Sequence, residues 1–86
     1  MEKISIEAVL SSLKNDMSGD FFEYTDGHTS ENLCRVAIAV AEGEYPITEF
    51  EDFIDEQKLD KGITHDCKLI VRYGAHCIEK YIKIRS

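Results

Sequence analysis

Ile6, Val9, Leu10, Leu13 and Met17 recur at i, i+3, i+4, i+7 and i+11, which aligns them on one face of a helix near the start of the chain. The ends of this helix are signalled as well. Ser5 suits the N-cap, Ile4 and Val9 occupy the two positions of a hydrophobic staple, and Gly19 suits the left-handed residue just past the end. With 86 residues, the chain fits one domain spanning 1–86 that hides only about 60–65% of its unfolded surface.

Later segments divide between helix and strand. Phe21, Phe22 and Tyr24 precede Thr25-Asp26-Gly27-His28, a turn signal that either closes a hairpin or leads into another helix. Thr29 or Ser30 can cap a helix carrying Leu33, Val36, Ala37, Val40 and Ala41 and stopped by Gly43. The competing reading takes residues 30–42 as a strand, because Cys34, Val36, Ile38 and Val40 alternate with small residues. A third helix is expected from about Glu49 to Lys58, opened by a Thr48-Glu49-Phe50-Glu51 capping box and packed through Ile47, Phe50, Phe53 and Ile54. Asp60-Lys61-Gly62 ends it. From His65 to Tyr73 the period becomes two, with Cys67, Leu69, Val71 and Tyr73 on one face, and Gly74-Ala75 then turns the chain back through Cys77 to Ile84. A final helix is the fallback for this last segment.

The resulting expectation is an α+β domain of about three helices followed by a C-terminal antiparallel β-hairpin, in winged-helix-like order. The alternative, with 30–42 as a strand, is an antiparallel sheet with two flanking helices. Layout alone does not fix function.

Charge is distributed unevenly. The net charge is −7, and the stretch from Glu42 to Asp60 alone holds eight acids and one Lys, while residues 61–86 hold six bases and two acids. So negative a chain is repelled by nucleic acid and by anionic membranes over most of its surface. The longest apolar run, Val36 to Ala41, falls far short of the roughly 20 residues that cross a bilayer. Three cysteines, an odd number, and a start that is amphipathic rather than solidly apolar lead us to expect the reducing cytoplasm.

Three constellations bear on chemistry. His65-x-Cys67 with His76-Cys77 are zinc-binding types at poor spacing, since structural zinc sites use C-x₂₋₄-C or H-x₃₋₅-H pairs. A nucleophilic Cys67 or Cys77 would need His28, His65 or His76, and no signature selects a pair. The five glycines form no phosphate-binding loop. No metal, cofactor or catalytic residue is therefore expected.

The charged surfaces are the better candidates. Glu49, Glu51, Asp52, Asp55 and Glu56 would give a carboxylate face for a basic protein partner, with Tyr45 as a rim contact. In size and charge the chain resembles small acidic inhibitors: DNA mimics, immunity proteins and phage antagonists of restriction or CRISPR systems. The expectation is a non-enzymatic inhibitor or regulator of a basic nucleic-acid-binding protein or nuclease. The alternatives are a nucleic-acid-associated regulator using Lys68, Arg72, Lys80, Lys83 and Arg85 on the hairpin, and a metal or thiol protein. The bases of the C-terminal segment can equally pair with the acidic helix of the same molecule or of a second copy, so a homodimer is a further expectation.

Overall fold

The apolar stripe near the start forms a helix, α1 (Ile6–Met17), and buries Val9, Leu13 and Met17. Our structure, a computed structural model, describes residues 5–18 and 27–85. Three more helices follow: α2 (Gly27–Ala41), α3 (Ile47–Glu56) and α4 (Lys61–Arg85). There is no strand among the described residues. The aromatic segment Phe21 to Tyr24, with Ile4 and Gly19, lies outside them.

Packing is sequential from side to side. Helix α2 packs most extensively on α4, α1 lies against α2, and α3 lies against α4, so α2 and α4 form the central pair. Leu13, Leu33, Val36, Phe50, Ile54, Cys67 and Val71 are completely buried between them. At roughly 1.5–3 kcal/mol per large apolar side chain removed from water, this cluster is the main force opposing chain entropy. Phe53 stacks on Phe50, with ring centroids 6.4 Å apart.

Helix α2 settles the helix-or-strand alternative for residues 30–42 in favour of helix. Its start at Gly27 places Thr29 inside the first turn, where its hydroxyl donates across to Asp16 of α1 instead of capping its own helix. Its end is a Schellman turn: Gly43 takes φ +77°, its N–H donates to Val40, and the Glu44 N–H donates to Ala39.

Helix α3 begins earlier than the capping box implies. Pro46 is the N-cap, its carbonyl accepts from the Glu49 N–H at 3.1 Å, and no side chain caps the helix. Thr48 therefore lies within the first turn, and Glu51 reaches Arg72 instead of folding back. Lys58 ends the helix at φ +54°, a conformation that L-residues other than Asn and Asp rarely adopt.

The expected α+β fold with its C-terminal hairpin is incorrect, because residues 61–85 form one 25-residue helix. Cys67, Val71, Ala75 and Ile78, at i, i+4, i+8 and i+11, are the inner stripe of α4. The alternation that suggests a strand arises because Leu69 and Tyr73 are apolar too, but they face outward, at 48% and 72% exposed. Gly74-Ala75 is the close approach of α4 to α2, not a turn: a Cβ on Gly74 would lie 3.2 Å from that of Ala37. The sheet-based alternative fails for the same reason.

Candidate functional site

Helix α3 carries five acids in ten residues, and its packing on α4 sorts them into two stripes. Glu51 and Asp55, one turn apart, flank the α4 side. Glu51 accepts from Arg72 at 2.9 Å and Asp55 from Lys68 at 2.8 Å. Each pair is partly exposed, so each contributes about 0–1 kcal/mol. Their combined effect is to orient α3 along α4.

Glu49, Asp52 and Glu56 form the other stripe, at i, i+3 and i+7. All three are exposed, and none has an ion-pair partner among the described residues. Asp52 and Glu56 are a like-charge i, i+4 pair, which opposes the helix by about 0.2–0.5 kcal/mol. Glu49 lies in the first turn and gains from the helix dipole, whereas Glu56 lies at the unfavourable end, where no basic residue occupies the last turn. Local stability therefore accounts for Glu49 and opposes Glu56.

Tyr45 is drawn into the core, 9% exposed, rather than standing at a rim. Its phenol is held above its ordinary range, first by burial and then by the nearby charges of Glu49 and Asp52. The ring thus supports the base of the acidic stripe. Asp60 also has a structural role: its carboxylate accepts from the Gly62 N–H at 3.0 Å, and its carbonyl accepts from the Thr64 N–H at 2.9 Å. It is the N-cap of α4.

The basic residues expected on a hairpin are spread along α4. Lys68 and Arg72 are engaged by α3, while Lys80, Lys83 and Arg85 lie in the last two turns, where residues 79–84 are all exposed. The cysteine and histidine pairs diverge. Cys67 is buried while Cys77 is exposed, and His65 and His76 are both exposed. Burial, followed by the charge of Asp66, pushes the Cys67 thiol up to about 11, so it stays protonated and a poor nucleophile at neutral pH. Among the described residues no three His, Cys, Asp or Glu side chains converge as metal ligands.

One polar cluster is not anticipated from sequence. Ser12 and Asp16 of α1 meet His28, Thr29 and Asn32 of α2. The Asn32 side-chain amide donates to Ser12 Oγ at 3.0 Å, Ser12 Oγ lies 3.1 Å from His28 Nε2, and Arg35 donates to Asn32 at 3.2 Å. Ser, His and Asp together suggest a nucleophile relay, but the geometry is wrong for one. Ser12 and Asp16 both approach His28 Nε2, the latter at 3.6 Å, whereas a relay needs the carboxylate on the opposite ring nitrogen. The cluster fastens α1 to α2. Its only sequence signal is the pair of polar residues spaced i, i+4 beside the buried face of α1.

The exposed stripe Glu49, Asp52 and Glu56 is thus the charged surface least explained by the fold itself. No protein-family model, curated protein or solved structure matches the chain.

Proposed function

We propose that this chain is a non-enzymatic binding protein whose outward α3 stripe, Glu49, Asp52 and Glu56, docks on a basic protein such as a nucleic-acid-binding protein or nuclease and inhibits it. The observation that carries this reading is the division of the α3 acids. Those beside α4 are neutralised within the molecule, and of those facing outward Asp52 and Glu56 keep their charge at a cost to the helix. Exposed carboxylates without an internal ion pair on a helix attract Lys and Arg clusters and speed encounter.

The division also narrows the class of partner. Steps of three and four residues, at about 1.5 Å rise each, set these three charges roughly 4.5–6 Å apart along the axis, wider than the 3.4 Å between phosphates of one DNA strand. The stripe therefore suits a short basic pocket on a protein better than a long groove shaped for a duplex.

Two sets of variants test the reading. Neutralising Glu49, Asp52 and Glu56 to Gln, Asn and Gln should abolish salt-sensitive capture of the partner from lysate of the source cells while helicity is retained. Neutralising Glu51 and Asp55 should lower stability by up to about 1–2 kcal/mol and leave capture intact. Capture that survives the first set overturns the proposal.

A further inference from the structure

Helix α4 has a second apolar face, turned away from the core. Lys68 and Arg72 mark the flank that holds α3, and Leu69 and Tyr73 follow each by one residue, about 100° further round the helix. Tyr73 is 72% exposed and Ile84 is 84% exposed, and Leu69 and Ile70 are each more than a third exposed. An open, almost wholly apolar groove of about 500 Å³ runs beside Leu69, Tyr73 and His76. Ile70, Tyr73, Cys77, Lys80 and Ile84 recur at alternating intervals of three and four residues, the period of a helix-pairing seam.

We propose that this face is the interface of a two-fold symmetric dimer of this chain, in which two α4 helices pair antiparallel about an axis near Tyr73. The evidence for a second copy as the occupant is self-complementarity about that residue. Asp66 lies seven residues before Tyr73 and Lys80 seven residues after it, on the same face of the helix. Antiparallel pairing sets Asp66 of each copy against Lys80 of the other, whereas parallel pairing would oppose like charges. A second match lies further out. Gly62 and Ile84 are each eleven residues from Tyr73, so the exposed Ile84 side chain of one copy rests on Gly62 of the other. Gly62 is exposed, and a Cβ there would meet only the Asp60 carboxylate, at 3.2 Å.

The size of the face sets the strength. Four large apolar side chains and their polar border bury on the order of 1,000 Å² in total, at the lower end of specific interfaces. The dimer is therefore concentration-dependent. It is also independent of the α3 stripe, which lies on another helix.

Sedimentation equilibrium of the full chain from about 1 µM to 1 mM should show a shift from one chain to two. Tyr73→Glu should stay monomeric throughout with unchanged helicity, because the side chain it replaces is 72% exposed in the monomer and lies outside the core. Asp66→Lys should raise the dissociation constant at least tenfold, and adding Lys80→Asp should restore it. Wild-type chain that is monomeric at every concentration overturns the proposal, even if Tyr73→Glu loses a foreign partner. A dimer that survives Tyr73→Glu, or no recovery in the double variant, overturns it as well. Neutralising Glu49, Asp52 and Glu56 should leave self-association unchanged, so the two readings fail separately.

Discussion

Cys67 shows at the scale of one residue how burial turns a reactive group into a packing element. It is fully buried beside Val71, and its thiol is pushed up to about 11, by burial first and by Asp66 second. An unfolded thiol loses its proton near pH 8.5–9, so between about pH 9 and 11 the native chain holds a proton that the unfolded chain has released. Folding stability must then fall as pH rises through this window, and the contribution of Cys67 is complete only below it. Tyr45, also raised, adds a loss in the same direction at higher pH. Urea unfolding at pH 8, 9.5 and 10.5 should show the decline, and Cys67→Ala should flatten its lower part. An unchanged slope in that variant would assign the decline to other groups. A thiol reagent at pH 8 should modify Cys34 and Cys77 quickly and Cys67 only on unfolding, since the first two are exposed.

At the scale of elements, legibility followed the number of apolar faces. Helices α1, α2 and α3 each present one dominant buried stripe, and their positions can be read from sequence to within a few residues. Helix α4 presents two, an inner stripe of Cys67, Val71 and Ala75 and an outer one of Leu69 and Tyr73, and together they imitate the alternation of a strand. Gly74 reinforced the error, because a glycine required for contact between helices looks in sequence like one required by a turn. The acids of α3 were legible as a cluster, but their division into neutralised and outward stripes was not. That division depends on Lys68 and Arg72 lying thirteen and twenty-one residues away on a helix read as a hairpin. The close approach makes a direct prediction. Gly74→Ala gains helix propensity of about 1 kcal/mol but crowds Ala37, leaving stability near the wild-type value. Gly74→Val adds bulk at the same crossing and should cost about 1–3 kcal/mol in chemical denaturation. Wild-type stability in Gly74→Val would mean that α2 and α4 are further apart than described.

At the scale of the molecule, the longest helix outruns the body it stabilises. Twenty-five residues at about 1.5 Å each extend α4 to roughly 37 Å, close to the 43 Å long axis of the whole chain. Its burial ends before its helix does. Ala75 is the last fully buried residue and Ile78 the last that is partly buried, while residues 79–84 are all exposed, including Tyr81 and Ile82. A segment that buries so little contributes little to the balance between apolar burial and chain entropy, so its apolar side chains need another explanation than the core. Removing residues 79–86 should therefore shift stability by no more than about 0.5 kcal/mol, the usual range for surface changes, or roughly 2–4 °C in a domain of this size. The same truncation removes Lys80 and Ile84 and should leave a folded chain that no longer self-associates at millimolar concentration. Thermal melts and sedimentation of the truncated chain separate the two roles of α4. A collapse in melting temperature would make the projecting turns part of the fold, whereas retained folding with lost association would make them a docking element.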